Sequence, residues 1–263
     1  MFEIVLKLYR LIFARQIFKT FNTNMFRLSL SGFGILNYGN DRMSGERHFI
    51  RKILPRYIKS DKPIFFDVGA NIGNYSSGLI DSFPNAFVYS FEPQPKNFLR
   101  LREKVFSKNV KCYNVAVGAT YGKAILYDRS DYDGSEQASL YKEVISDIYK
   151  TGVVSTEIVV DTIDDISKRE GIDFIDFLKI DTEGHEFAVL QGASTLLKNG
   201  RIGCIHFEFN EMNIVSRVFF RDFCKLLHNY KLYRLLPNGL FPLGNSPLET
   251  ELFAYQNIVA LPK

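Results

Sequence analysis

Three side chains able to move a proton crowd one short stretch, Asp181, Glu183 and His185 within Asp181-Thr182-Glu183-Gly184-His185-Glu186, and Glu208 closes the apolar run 202–209. Carboxylates and an imidazole so placed suit deprotonation of a hydroxyl, because an alcohol is a poor nucleophile until a base removes its proton. His185 is the first candidate for that base, since an unperturbed imidazole titrates near pH ~6.5 and is neutral and accepting at cell pH. The plainer alternative is a first-turn helix residue whose ring packs locally. Asp181 is better suited to orienting a bound group. Glu183 is either a base or an acid that satisfies the free N–H groups of a helix start, and Glu186 reads as structural. Asp181 and Glu208 stand without further ligands, so the sequence specifies no metal.

A second constellation lies upstream. The apolar run 64–68 ends in Asp67-Val68-Gly69-Ala70-Asn71-Ile72-Gly73-Asn74. Gly69 and Gly73 let the backbone approach a ligand closely, and the helix that follows aims its N–H groups at the same crevice. This is not the Gly-x-Gly-x-x-Gly of dinucleotide enzymes, which disfavours a nicotinamide-dependent oxidoreductase. A carboxylate at Asp67 would repel a pyrophosphate and attract an ammonium group. Glu92, in Phe91-Glu92-Pro93, follows about 25 residues later, near the spacing at which an acid accepts ribose hydroxyls. A ribonucleoside with an amine and no phosphate fits both acids, and S-adenosylmethionine meets that description.

Strands and helices must alternate to bring these groups together, and the sequence has that grammar. Strand-like runs at 64–68, 86–91, 110–117, 174–180 and 202–209 are separated by helical stretches near 96–107 and 186–198 and by one reaching to residue 83. That alternation predicts a parallel, doubly wound sheet with ligands at the carboxyl ends of its strands. A helix near 216–229 leads to two last strands, 232–236 and 254–261, whose Pro/Gly-rich connection at 237–247 suits an antiparallel pair. Residues 119–160 interrupt the pattern as an excursion expected to form a lid or rim, with 123–127 able to pair with 157–160. There Ser135, Gln137 and Ser139 could bind a polar acceptor, and Tyr132 or Tyr141 could stack on a sugar. Lys179 reads as the partner of a neighbouring carboxylate, and His48, His206 and His228 as packed or surface histidines.

Five blocks in order, Phe66–Gly73, Phe91-Glu92-Pro93, Asn114-Val115-Ala116-Val117-Gly118, Leu178–Glu186 and Val189-Leu190-Gln191-Gly192-Ala193, resemble the FkbM family of S-adenosylmethionine-dependent methyltransferases over residues 44–262. The resemblance implies a class I methyltransferase (Rossmann-like) α/β fold, a doubly wound sheet of about seven strands with the last antiparallel. It also implies O-methylation of a hydroxyl on a glycan, natural product or related small molecule. By that resemblance Asp67, Gly69, Asn71 and Gly73 line the methionine end of the cofactor, Glu92 holds the ribose, and Ala116 and Val117 border the adenine. Ala70, Asn74, Pro93 and Asp181 belong to the same cofactor-contacting set. The opposing reading is a catalytically silent cofactor-fold module that binds a partner or docks on a membrane.

Composition bounds the remaining possibilities. Of 263 residues, 46% are apolar and 24% charged, the balance of a globular protein long enough to fold without a disulfide or metal staple. The 33 basic and 29 acidic residues leave a net charge of +4, short of a nucleic-acid binder's footprint, so no nucleic acid is expected as partner. Cys112, Cys204 and Cys224 form no paired framework, which fits a reducing, cytoplasmic location. No run approaches the ~20 apolar residues of a membrane span, and no cleavage site follows the apolar start. Residues 1–60 are expected as an N-terminal helical extension to a methyltransferase domain at 61–263, with a helix near 45–58. Residues 1–21 read as one helix carrying Lys7, Arg10, Arg15 and Lys19 against Glu3. Such a helix serves peripheral membrane contact, self-association, or packing on its own domain.

Overall fold

The computed structural model describes residues 1–106, 109–132, 134–135, 137–244 and 246–263. Ser107, the expected end of the helix near 96–107, lies outside the described residues, as do Asp133 and Glu136 of the excursion and Asn245 of the 237–247 loop.

The strands are β1 (Ile64–Val68), β2 (Phe87–Phe91), β3 (Val110–Tyr113), β4 (Ala116–Val117), β5 (Gly122–Arg129), β6 (Val153–Asp161), β7 (Ile175–Ile180), β8 (Ile202–Phe209), β9 (Tyr230–Leu236), β10 (Gly239–Pro242) and β11 (Gln256–Pro262). The main sheet has eight strands in the order β10-β9-β11-β8-β7-β1-β2-β3. Neighbours from β3 to β8 run parallel, and β11 runs antiparallel between β8 and β9. This is the doubly wound class I methyltransferase sheet the sequence led us to expect, with β10 added at the edge by the Pro/Gly-rich connection. The order reverses between β1 and β7, whose register pairs Asp67 with Lys179 and Val68 with Ile180. A crevice must open there, because chains leaving the two strands diverge to opposite sides.

Several elements depart from the sequence expectation. The run 110–117 is two strands: Asn114 and Val115 turn the chain out of the main sheet, and Ala116–Val117 pairs with β6 instead. β4, β6 and β5 make a second, three-stranded sheet, so the excursion pairs over 122–129 and 153–161, further than 123–127 with 157–160. The helix expected at 186–198 is two, Glu186–Gln191 and Ser194–Lys198. It breaks where Gly192 lies so close to the Gly118 carbonyl that a Cβ would sit 2.0 Å from that oxygen. The helix expected near 216–229 is Met212–Ser216 followed by Phe220–Leu226, with Arg217 in the left-handed region between them.

Parallel strands buried on both faces need continuous apolar runs, and β7 and β8 supply them: Ile175, Phe177, Leu178, Ile180, Ile205 and Phe207 are all fully buried. One face of the sheet packs on Phe220, Phe223, Val189 and Leu190. The other packs on Phe49, Ile53, Leu54 and Leu79. The stretch before β1 therefore divides in two. Residues 46–56 form one irregular helix with a π-helical turn at Phe49–Ile53 and are part of the core. Ile35 forms a bridge to Gln256, and the Leu36 N–H donates to the Tyr255 carbonyl.

Residues 1–21 are not a single helix. Phe2–Phe13 ends at Ala14, and a second helix runs over Lys19–Gly32. The two fold back through Phe13, whose ring stacks on Tyr9 and Phe21. Neither helix has a buried residue. Among the described residues no helix is long and apolar enough to cross a membrane.

Candidate active site

The crevice at the carboxyl ends of β1 and β7 is a cleft of about 1030 Å³. Its first wall is the turn after β1. The N–H groups of Gly69 and Ala70 both donate to the Phe91 carbonyl at 3.0 Å, tying that turn to the end of β2. Gly69 has φ +78°, and a Cβ there would lie 1.7 Å from the Asp181 carbonyl oxygen, so only glycine lets the β1 and β7 turns meet. Ala70, Asn71 and Asn74 line the cleft. Asn71 is itself in the left-handed region, and its Oδ1 is buried without a partner. Gly73 stands behind the wall against Leu101 and Val105.

Asp67 is also behind the wall. It is fully buried, its Oδ2 accepts from Ser76 Oγ at 2.5 Å, and its Oδ1 has no partner. Burial pushes its carboxyl above the usual range, against the pull of nearby Lys179. Glu92 does face the cleft, with Pro93 beside it. Its Oε2 accepts from the Asn71 N–H and its Oε1 from the Gln94 N–H, each at 2.8 Å. Burial raises its pKa to about 7, although both backbone donors favour the charged form. Val115, Ala116 and Val117 make an apolar border further along the cleft. Asn97 was not anticipated. It lines the cleft, donates to the Ser135 carbonyl and leaves its Oδ1 buried without a partner. It lies inside a helix, where an asparagine carries no motif.

The turn after β7 carries the acidic end. Asp181, Glu183 and His185 all line the cleft, and Glu208 joins them from β8, so the four residues singled out by type do converge. Lys179, 4% exposed, donates to Asp181 Oδ2 at 2.8 Å and lies 5.1 Å over the Tyr75 ring. Burial works against its charge, but Asp181, Asp67 and Glu46 outweigh that and hold its pKa above the ordinary lysine value. Glu183 and Glu208 are both pushed well above the carboxylate range, Glu183 first by burial and then by Asp181 and Glu186, Glu208 first by burial and then by Asp181 and Glu183. Tyr149 Oη donates to Glu183 Oε2 at 3.2 Å, a bond that favours the charged form. Glu208 accepts from the Asn210 amide at 3.3 Å.

His185 differs from the sequence expectation in its proton affinity. Desolvation lowers its pKa to about 4, so it is neutral at cell pH but a weak base. Its Nδ1 lies 3.2 Å from Tyr141 Oη. Glu186 is structural: its Oε1 accepts from the N–H groups of Thr182 and Gly184 and from Thr182 Oγ1.

The excursion forms a wall of the cleft through Leu126, Ser135, Gln137, Ala138, Leu140 and Tyr149. Ser135 Oγ donates to Asp128 and Ser139 Oγ to the Glu183 carbonyl, so both hold the wall in place. Gln137 lines the cleft while accepting from Arg129. Tyr141 reaches His185, whereas Tyr132 is exposed and lines nothing. Tyr149 carried no signal in the sequence, because only the docking of the excursion brings it to Glu183.

Comparison with known proteins shows what the chain is similar to. A family model described as the methyltransferase FkbM domain matches residues 67–234. The chain is 25% identical over 200 residues to the 2-O-methyltransferase NoeI of Sinorhizobium fredii, covering 72% of this chain and 81% of the relative. It is 28% identical over 194 residues to the hexuronic acid methyltransferase AglP of Haloferax volcanii, covering 72% and 71%. Among solved structures, a methyltransferase FkbM from Methylobacillus flagellatus KT aligns with TM-score 0.48 and 13% identity, over 89% of this chain and 58% of that chain. The present chain thus spans less than two thirds of that solved chain's length.

Proposed function

The chain belongs to the FkbM methyltransferase family, and from that premise we propose that it transfers a methyl group from S-adenosylmethionine to a hydroxyl of a sugar. The carrying observation is the single cleft that Glu92 shares with Glu183 and Glu208. The cofactor end suits the donor molecule. The Glu92 carboxylate is fixed by two backbone donors, as a ribose-binding acid must be, and the orphaned Oδ1 atoms of Asn71 and Asn97 call for donors on a ligand. Ala70, Asn71, Asn74, Glu92, Pro93, Ala116 and Val117 would hold it, and Gly69 brings the backbone close. Asp67 and Gly73 act one layer back by fixing the turn, and Asp181, held by Lys179, borders the methionine end. When bound, S-adenosylmethionine supplies an electrophilic methyl group on a sulfonium.

The chain's own residues deal with the acceptor. Glu183 takes the hydroxyl proton in its charged form, which the Tyr149 hydroxyl favours by donating to Oε2. His185 is neutral and tied to Tyr141, so it orients the acceptor rather than deprotonating it. Catalysis otherwise rests on aligning the acceptor oxygen within near-attack distance. A sugar suits the acidic end, where Glu183, Glu208 and Tyr149 offer a dense set of hydroxyl partners. The relative AglP, a hexuronic acid methyltransferase, supports the same acceptor class.

The test is transfer of labelled methyl groups from S-adenosylmethionine to a panel of mono- and oligosaccharides, with calorimetric titration of the cofactor. Saturable binding and label on a sugar oxygen are the expected results. A folded protein that binds S-adenosylmethionine yet labels no hydroxyl acceptor would favour the catalytically silent module.

A further inference from the structure

The acidic cleft has a basic mouth. A second cavity of about 360 Å³ opens beside it, lined by Arg42, Arg47, His48, Arg51, Lys52 and Pro237, and Arg47 and Arg51 line both cavities. Arg42 precedes, and Arg47, His48, Arg51 and Lys52 belong to, one helical segment. Its inner face, Phe49, Ile50, Ile53 and Leu54, is at most 7% exposed and anchors it in the core. Arg47 precedes the π-helical turn at Phe49–Ile53, which itself contains Arg51 and Lys52. Among the described residues, none of these side chains has a carboxylate within ion-pair distance. Asp41 also lines the cleft and is no exception. Glu46, next to Arg47 in sequence, faces inward: it accepts from Ser44 Oγ and its carboxyl responds to Lys179 and Asp181.

Charge is therefore segregated along one channel, with carboxylates at the chemistry and unpaired guanidinium groups at the entrance. Arginine forks match phosphate oxygens in pairs, and two forks one helical turn apart match two linked phosphates. We infer that Arg47 and Arg51 form a diphosphate subsite, and that the acceptor is a sugar presented on a diphosphate carrier. This rests on the sugar-hydroxyl reading above and adds the chemistry of the acceptor's other end.

The test is calorimetric titration of the full chain with inorganic pyrophosphate, alongside S-adenosylmethionine, for the wild type, R47Q/R51Q and R47K/R51K. One-site pyrophosphate binding weakened at least tenfold in R47Q/R51Q, partly restored in R47K/R51K, with cofactor affinity unchanged, is the expected result. Equal pyrophosphate affinity in all three would overturn it. So would a parallel loss of S-adenosylmethionine affinity, since the arginines would then serve the cofactor's carboxylate. A wild type that binds pyrophosphate but not S-adenosylmethionine would instead sink the methyltransferase reading. The carrier is identified by displacing pyrophosphate with UDP-glucose or with phosphatidylcholine vesicles carrying farnesyl diphosphate. Displacement by the first points to a soluble nucleotide sugar and by the second alone to a lipid-linked one. Displacement by neither refutes the diphosphate carrier.

Discussion

Lys179 Nζ donates to Asp181 Oδ2 at 2.8 Å across the end of β7, and this one buried cation is set against Asp67 and Glu46 as well. Removing one partner of a buried charge set leaves the others uncompensated, which costs about 3–5 kcal/mol. Lys179→Met should therefore lower unfolding stability by that order in urea titrations. A loss below about 1 kcal/mol would mean that the surrounding carboxyls are already neutral in the native state.

Glu92 carries a pH signature. Its native pKa of about 7 lies above the ordinary 4.5, so the native state holds its proton more tightly than the unfolded chain. Its contribution to stability is thus present at low pH and is lost as pH rises from 4.5 to 7. Ribose hydroxyls need the charged acceptor, so S-adenosylmethionine affinity should strengthen between pH 6 and 8. Glu92→Gln should bind at least tenfold more weakly and lose that pH dependence. An unchanged pH profile in the variant would exclude Glu92 as the titrating group.

His185 and His206 titrate in the opposite sense. Both are lowered to about 4 from the ordinary 6.5, His185 by desolvation and His206 by desolvation and Lys179. The unfolded chain takes up their protons first, so stability present above pH 6.5 falls away as pH drops towards 4, on the order of 3 kcal/mol for fully buried His206. Unfolding midpoints measured from pH 7 to 4 should fall less steeply in His185→Asn than in the wild type. Parallel slopes would show that His185 is protonated in the folded protein.

The two raised carboxyls, Glu183 and Glu208, predict a division of labour. Glu183→Gln should reduce kcat by about 10²–10⁴-fold, the usual worth of a positioned base, while leaving cofactor affinity in place. The wild-type rate should be bell-shaped in pH, reporting the pair's two apparent pKa values, and Glu208→Gln should remove one limb. If His185→Asn costs more in kcat than Glu183→Gln, the base has been misassigned.

Gly69→Ala tests the contact between the two turns. A Cβ at φ +78° would meet the Asp181 carbonyl oxygen at 1.7 Å, so backbone must move. A destabilisation of about 2–4 kcal/mol is expected from strain and displacement together, with loss of S-adenosylmethionine binding. Calorimetry of a variant still folded at 20 °C separates the two effects.

Much of the scaffold was legible because parallel strands buried on both faces read as uninterrupted apolar runs. The run 64–68 and the run 202–209 are β1 and β8 to the residue. Asp181, Glu183, His185 and Glu208 were legible as a group because strand ends at a switch point must converge. What escaped depended on contacts distant in sequence. The helix near 186–198 breaks at Gly192, which lies against the Gly118 carbonyl just after β4. Val110–Tyr113 and Ala116–Val117 separate because the excursion captures the second piece for its own sheet. Tyr149 and Asn97 lie in segments whose local pattern says nothing of the cleft. The proton affinity of His185 was equally hidden, since desolvation is a property of the packed molecule.

The antiparallel β11 also sets an order of assembly. It is the bridge between β8 and the β9–β10 hairpin, with Ile258 paired to Phe207 on one side and Arg234 on the other. Residues 230–242 therefore have no strand of the main sheet to join until residues 256–262 have been synthesised. Until then β8 is an open edge, rich in Ile, Phe and Cys, of the kind that recruits foreign strands. During synthesis this protein should be most vulnerable to aggregation in that interval, and ribosome-stalled chains ending before residue 256 should engage chaperones far more than chains extended past residue 262.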